Sequence, residues 1–119
     1  MVDAEKFISG RSFDIYAITV EGKCPVQVFI DSLESADQKK VMALLQRAAE
    51  HGPPNNIEKF KKLEDNIWEF KSFQVRILCS LEGRKVIILT HGFIKKKDKA
   101  PPNEIVRAKE LLSAYHKRR

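Results

Sequence analysis

Side chains that can transfer protons or bind phosphate recur within one short part of the chain. They are Glu69, Lys71, Arg76 and His91. A carboxylate and an imidazole can exchange protons, and a guanidinium or an ammonium can bind the phosphate of a phosphodiester. All four lie in or beside three short apolar runs, at 67–70, 75–81 and 85–90, which are rich in β-branched and aromatic residues. If the fold brings the four together, the chemistry available to them is cleavage of a phosphodiester bond.

Three consecutive antiparallel strands would bring these residues together. The breaks between the apolar runs have the length of hairpin turns, and we expect two-residue turns at Phe73-Gln74 and Gly83-Arg84. Arg76 then lies opposite Lys71 on one side and opposite His91 on the other. Because side chains alternate along a strand, all four polar residues project from one face. The other face receives six apolar residues: Trp68, Phe70, Ile77, Cys79, Val86 and Ile88. The sequence therefore predicts a sheet with one core face and one open, polar face.

A purely structural interpretation of the polar face also exists. An antiparallel sheet commonly has one solvated face, so Glu69 or Lys71 taken singly needs no function. Arg76 and His91 are harder to explain in this way, because they lie within the central and last strands. Two cations directly opposite each other repel, and such a pair is more easily tolerated where an anion such as phosphate binds.

The order of residues along this part of the chain also carries a family resemblance. The pattern consists of Leu63, Trp68-Glu69-Phe70-Lys71, Val75-Arg76-Ile77-Leu78, His91-Gly92-Phe93-Ile94-Lys95-Lys96, Lys99, Pro101 and Glu104-Ile105. It resembles the RelE/HigB superfamily of bacterial toxins, in particular the phage-derived HigB-like branch, from about Asp14 to the C-terminus. The resemblance implies a small sheet-and-helix ribonuclease that cuts messenger RNA, usually on the ribosome. It also implies a cognate antitoxin protein of the helix-turn-helix type as a partner.

The resemblance and the residue chemistry together give a set of candidate site residues. The candidate catalytic residues are Glu69, Lys71, Arg76, His91, Lys95 and Lys96. The candidate RNA-binding residues are Lys61, Lys62, Phe93, Lys97 and Lys99. The 2′-hydroxyl of the RNA would attack the neighbouring phosphate, and Glu69, His91 or a lysine could act as base or acid. Several relatives have a tyrosine near the position of Phe93. A phenylalanine cannot transfer a proton as a tyrosine can, but it could stack on a base.

No metal or cofactor is expected for this reaction. The three histidines fall on three different predicted elements, and none forms a ligand set with the cysteines or carboxylates. Two cysteines in 119 residues do not indicate a disulfide framework. No apolar run approaches the length of a membrane helix, and the sequence shows no secretion signal, so we expect a cytoplasmic protein that does not bind membranes.

The positive charge is concentrated in the second half of the chain. Residues 1–58 contain six Lys/Arg against nine Asp/Glu, residues 59–99 contain eleven against five, and residues 100–119 contain five against two. A positive field on one side of a protein attracts phosphates, although basic runs are often simply solvated surface. The charge distribution therefore favours a nucleic-acid partner without proving one.

The remaining segments indicate an α+β fold in a single domain spanning 1–119. The expected order is β-α-α-β-β-β-α, a RelE-like antiparallel sheet with helices packed on one face. The elements outside the three strands are a first strand within Ser12–Val20, a helix opened by Pro25, a helix from Ser35 or Asp37 to His51-Gly52, a loop over 55–65 and a last helix from Asn103 to about Lys117. Residues 1–12 carry little pattern, so they could form a flexible leader or extend a strand.

Three functions remain open at this point. The first is the messenger RNA endonuclease, and the second is a RelE-fold module that inhibits DNA gyrase without any nuclease activity. The polar face argues against the second, because gyrase-inhibiting relatives tend to lack those residues. The third is an inactive nucleic-acid-binding or regulatory remnant of a toxin. Ala100 stands where the family usually has a threonine helix cap, which is a slight sign of decay. The sequence does not determine self-association.

Overall fold

A six-stranded sheet runs through the protein and carries helices on both faces. The computed structural model describes residues 1–96 and 101–118. The elements in chain order are β1 (Val2–Ser9), β2 (Asp14–Val20), α1 (Pro25–Asp31), α2 (Ser35–His51), β3 (Phe60–Glu64), β4 (Ile67–Ser72), β5 (Val75–Glu82), β6 (Val86–Ile94) and α3 (Pro102–His116). The prediction of an α+β fold is confirmed.

The strands lie in the order β1-β2-β6-β5-β4-β3. All neighbours are antiparallel except β2 and β6, which run parallel with Ile15 beside Ile87. The strands β1 and β3 were not predicted. Both are edge strands, and most of their side chains are exposed or only half-buried, so neither shows a clear apolar alternation. Residues 1–12 therefore contain a strand of the sheet, and the segment predicted as a loop over 55–65 contains another.

Two apolar clusters sandwich the sheet, one on each face. Helices α1 and α2 bury Val26, Ile30 and Leu45 against the first face, which includes Phe70 and Ile77. Helix α3 buries Ala108 and Leu112 against the second face, together with Leu78, Ile88 and Phe93. The prediction that all helices pack on one face is therefore wrong, because α3 covers the face that was expected to be open. Within the described residues, no helix is long and apolar enough to cross a membrane.

The turn between β5 and β6 explains why the second face can accept a helix. Glu82 pairs with Val86, so the turn has three residues, Gly83–Lys85, instead of the two that were predicted. A turn with one residue more than predicted moves every side chain of the following strand to the opposite face of the sheet. Val86 and Ile88 therefore lie on the second face and not, as predicted, beside Ile77 on the first.

A bulge further along β6 reverses the side chains once more. Ile77 pairs with Gly92 but Cys79 pairs with Leu89, which leaves both Thr90 and His91 opposite Leu78. The extra residue returns His91 to the face that was predicted for it. Its predicted partner was wrong, however, because Arg76 pairs with Phe93 and not with His91.

The turn between β4 and β5 is the predicted two-residue turn. Ser72 pairs with Val75 and Lys71 pairs with Arg76, which leaves Phe73 and Gln74 at the tip. Phe73 has a φ of +56°, the left-handed conformation that two-residue hairpin turns require and that side chains other than those of Gly, Asn and Asp seldom adopt.

The C-terminal end of α2 is fixed to the segment between β1 and β2. The backbone N–H groups of Ser12 and Phe13 both donate to the carbonyl of Ala49 at 2.9 Å. Gly10 lies so close to this helix that a Cβ added to it would be 2.3 Å from the Ala49 carbonyl carbon. Only glycine fits there without moving the helix away from the sheet.

We expect Gly10→Ala to lower the free energy of unfolding by about 2–3 kcal/mol, because the clash is with backbone atoms that cannot rotate away. Gly22→Ala is the matched control, since Gly22 has a positive φ but open space around it, and should cost about 1 kcal/mol. Urea unfolding of both variants measures the difference. Equal losses would show that the contact with α2 is not as tight as the structure has it.

Candidate functional site

The four predicted residues do share one face of the sheet, but that face is not open. Glu69, Arg76 and His91 retain only 2%, 6% and 1% of their surface, whereas Lys71 is half-buried. The expectation of a solvent-exposed polar row is therefore wrong. The physical reason is that the three-residue turn supplies this face with apolar side chains from β6, on which α3 packs.

Glu69 and Arg76 form a buried ion pair. Their Oε1 and Nε atoms lie 3.6 Å apart, and within the described chain neither atom has a hydrogen-bond partner. The other end of the guanidinium is held firmly, because Nη1 donates to the carbonyl of Phe73 at 2.5 Å and to that of Val75 at 3.0 Å. The pair is therefore oriented by the hairpin turn while keeping unused hydrogen-bonding capacity.

His91 holds a carboxylate of α3 against the sheet. Its Nε2 lies 2.9 Å from Oε1 of Glu104, and its Nδ1 lies 3.2 Å from the hydroxyl of Thr90. Burial lowers the pKa of His91 below its ordinary value; the hydrogen bond to Glu104 opposes this shift and the nearby Arg107 adds to it. A neutral ring that donates from Nε2 to a carboxylate leaves Nδ1 as an acceptor.

Glu104 was not among the predicted site residues. It belongs to the motif that carried the family resemblance, but no spacing rule links residue 104 to a strand residue 13 positions earlier. Only the packing of α3 on the sheet brings the two side chains together. Since the Glu104 side chain keeps 23% of its surface, it is the accessible member of the pair.

The remaining predicted cations within the described residues lie around the edges of this face, except for Lys62. Lys71 donates from Nζ to the carbonyl of Ile57 at 3.2 Å. Lys95 is half-buried and follows β6, and Lys96 beside it is exposed. Lys61 is exposed and pairs with Glu69 in the sheet, so it shares the face. Lys62 is exposed but pairs with Trp68, which places it on the opposite face and away from the other candidates.

Phe93 is not available for base stacking. It is 8% exposed and packs in the apolar cluster under α3, with its ring centroid 6.2 Å from that of His91. The predicted role of Phe93 in stacking on RNA is therefore wrong in this structure, since its ring belongs to the core. Lys97, Lys99 and Ala100 lie outside the described residues. Within the described residues, no group of three or more His, Cys, Asp and Glu side chains could hold a metal ion.

Comparison with protein families adds an independent finding. The family model described as Phage derived protein Gp49-like (DUF891) matches residues 28–113. The chain belongs to the phage-derived Gp49-like family. This family lies in the RelE/toxin-like group, which agrees at that level with the resemblance of the strand motifs. A comparison with curated proteins finds no significant match.

The Gp49-like region begins within α1 and ends within α3. It contains the buried Glu69–Arg76 pair, the half-buried Lys71 and the His91–Glu104 pair, so the contacts of the candidate site are internal to the family region. The strands β1 and β2 precede this region, although β2 pairs with β6 inside it.

The burial of Arg76 leads to a prediction about stability. Arg76→Met leaves Glu69 as a buried charge without its partner, so we expect a loss of about 3–5 kcal/mol in the free energy of unfolding. The double variant Glu69→Leu/Arg76→Met removes both charges and should lie much closer to wild type. Urea unfolding of wild type, both single variants and the double variant gives the coupling energy. If Arg76→Met cost less than about 1 kcal/mol, the side chain would lie on an open face after all.

The lowered pKa of His91 leads to a prediction about pH. In the unfolded chain the imidazole takes up a proton near its ordinary pKa of about 6.5, whereas the folded ring resists protonation until the pH is lower. The stability contributed by His91 is therefore complete above about pH 6.5 and is lost as the pH falls from there toward the folded pKa. We expect the slope to reach at most about 1.4 kcal/mol per pH unit, the value for one proton.

The measurement is the free energy of unfolding between about pH 7 and pH 5.5, for wild type and His91→Gln. The variant should lose less stability on acidification than wild type. His51→Gln, at an exposed position at the end of α2, is the matched control and should retain the wild-type slope. Identical slopes for wild type and His91→Gln would contradict the lowered pKa.

Proposed function

We propose that this protein is the toxin of a toxin–antitoxin module, an endoribonuclease that cuts messenger RNA at the ribosome in the cytoplasm. The observation that carries the proposal is the His91–Glu104 pair on the sheet face that also holds Arg76 and Lys71. Membership of the Gp49-like family, within the RelE/toxin-like group, supports the same function.

Glu104 serves as the general base in this proposal. Its carboxylate is partly exposed, and the buried ring of His91 fixes its orientation by donating from Nε2. The carboxylate takes the proton of the RNA 2′-hydroxyl, and the oxygen then attacks the adjacent phosphorus and expels the 5′-oxygen. The leaving oxygen takes a proton from a lysine ammonium, for which Lys71 and Lys95 are the candidates. The products are a 2′,3′-cyclic phosphate and a 5′-hydroxyl, and His91 acts as a positioning residue.

Arg76 stabilises the negative charge that develops on the phosphate. Phe93, its partner across the sheet, is two residues from His91 along β6, so Arg76 and His91 are diagonal neighbours at roughly 7–8 Å. Two carbonyls already orient the guanidinium, and donors fixed in advance are the most effective at stabilising charge in a transition state.

The RNA approaches from the β4–β5 turn. Helix α3 starts over His91 with Glu104, and later along the helix His116 pairs with Glu82 at the far end of β5. The helix therefore runs away from the hairpin turn that holds the guanidinium of Arg76. A strand of RNA arriving at this turn meets Lys71 first and Arg76 next.

An antitoxin protein is the second partner in the proposal. The region 59–99 carries eleven Lys/Arg against five Asp/Glu, and an acidic partner that covers it would block RNA while gaining electrostatic complementarity. Expression of the protein without its antitoxin should therefore arrest growth.

The test of the proposed function is cleavage of messenger RNA in a cell-free translation reaction, with the cut sites and product ends mapped. Glu104→Gln keeps the hydrogen bond from His91 but cannot take a proton, so we expect a rate loss of about 10²–10⁴-fold. Arg76→Lys keeps a charge beside Glu69 and should lose about 100-fold in rate, because an ammonium lacks the guanidinium fork. Glu110→Gln, at an exposed position of α3, is the control and should cleave like wild type.

The outcomes separate the candidate functions. Intact messenger RNA with inhibited DNA supercoiling would identify a gyrase-directed module, and the absence of both effects from a folded protein would identify an inactive remnant. Full cleavage by Glu104→Gln would mean that the base is another residue. His91→Gln should retain part of the activity with an altered pH profile, which a residue needed only for folding would not produce.

A further inference from the structure

A cleft rich in basic residues lies between α2 and the β4–β5 turn. It has a volume of about 390 Å³, and its lining contains four cations and no carboxylate. The charged and aromatic residues of the lining are Lys40, Arg47, Lys59, Lys71 and Phe73. The cations come from three separate segments, so the sequence does not show that they share one cleft.

Phe73 is the unusual member of this lining. Its side chain is 73% exposed at the tip of the hairpin, and its φ of +56° is a conformation that glycine or asparagine adopts with much less strain. The ammonium of Lys40 lies 4.4 Å from the centre of its ring. The backbone strain at Phe73 destabilises the fold, and the exposed ring gains little from burial. Stability therefore does not explain why a phenylalanine occupies this turn.

The cations of the cleft are also available for binding. Across residues 1–96 and 101–118, Lys40, Arg47 and Lys59 form no ion pair with a carboxylate. All three are exposed, and like charges gathered around one cleft repel each other until an anion binds.

We infer that this cleft, the α2–turn cleft, binds single-stranded RNA. Single strands are bound by cations that follow the phosphates together with aromatic side chains on which bases stack, and the cleft offers both. Its volume lies in the range of pockets that hold small molecules and is sufficient for about one nucleotide. An acidic protein segment would satisfy the cations but would leave the strained, exposed ring without a role, so RNA is the better match.

The cleft and the candidate catalytic face meet at the β4–β5 turn. Lys71 lines the cleft and pairs with Arg76 in the sheet, and the carbonyl of Phe73 accepts a hydrogen bond from the Arg76 guanidinium. A base stacked on Phe73 would therefore lie at the turn whose carbonyl holds the Arg76 guanidinium, on the other side of the sheet edge. This inference rests on the proposed function for the identity of the substrate, but apart from Lys71 it assigns binding to residues that take no part in the cleavage chemistry.

The experiment measures binding of a fluorescently labelled 2′-O-methyl oligonucleotide of about ten nucleotides by fluorescence anisotropy over a range of salt concentrations. The blocked 2′-oxygen prevents cleavage, so binding is measured independently of catalysis. Phe73→Asn should weaken binding roughly tenfold, the size expected for one base stacked on an aromatic ring, without changing the salt dependence. The same variant should melt at the wild-type temperature or above it, because asparagine tolerates the backbone conformation.

The double variant Lys40→Gln/Arg47→Gln tests the phosphate contacts. It should weaken binding and reduce the slope of log affinity against log salt by about 1.4, the value for two contacts on a single strand. The matched control Lys39→Gln/Arg84→Gln removes the same charge at exposed positions outside the cleft and should leave the slope within about 0.3 of wild type.

The assignment would be overturned if Phe73→Asn bound the oligonucleotide like wild type. It would also be overturned if the control variant and the Lys40/Arg47 variant lost the same amount of affinity. Displacement of the oligonucleotide by polyglutamate of equal charge and at equal concentration would overturn it in favour of an acidic protein. If the cleft variants lose binding but wild type leaves unmodified RNA uncut, the cleft assignment stands and the proposed nuclease function fails. If Glu104→Gln loses cleavage while Phe73→Asn binds like wild type, only the cleft assignment fails.

Discussion

The structure depends on the packing of α3 on the second face of the sheet. Ala108 and Leu112 are buried there against apolar side chains of β5 and β6, so both central strands are covered on both faces. Without α3, Leu78, Ile88 and Phe93 would form an exposed apolar surface, which soluble monomers seldom carry. This packing is also what removes the candidate catalytic side chains from water.

Burial then decides which partners these side chains need. A buried charge is very costly unless it is paired, and each ionisable group under α3 has one partner: Glu69 has Arg76, and His91 has Glu104. The two pairs differ in kind. The carboxylate of the first pair is neutralised by a guanidinium and fully enclosed, whereas that of the second is partly exposed and contacts a neutral ring. In the proposed function, this difference in environment is the reason for choosing Glu104 and not Glu69 as the base.

The β4–β5 turn connects the enclosed part of the site to the solvent. The carbonyl of Phe73 in this turn orients the Arg76 guanidinium on one side of the sheet edge, while the side chain of Phe73 borders the α2–turn cleft on the other side. A turn built from asparagine and glycine would be less strained, but it would offer no ring to the cleft. In the proposed function, binding and cleavage are thus coupled through one short and rigid segment.

The sequence by itself determined the α+β class, the helix opened by Pro25, the second helix ending at His51, the β4–β5 turn and the sharing of one face by Glu69, Lys71 and Arg76. These features follow from local chemistry, because alternation, the proline at the helix start and turn length act over a few residues. His91 lies on the predicted face for a different reason, which is tertiary. Tertiary structure decided the rest. One extra residue in the turn at Gly83–Lys85 and one in the bulge at Thr90-His91 reversed the side chains of β6 twice, and neither extra residue has a clear sequence signal. Three further features involve segments that are far apart in the chain: the burial of the site, the contact of Glu104 with His91 and the group of cations around Phe73. Only the packing of the helices on the sheet brings these segments together.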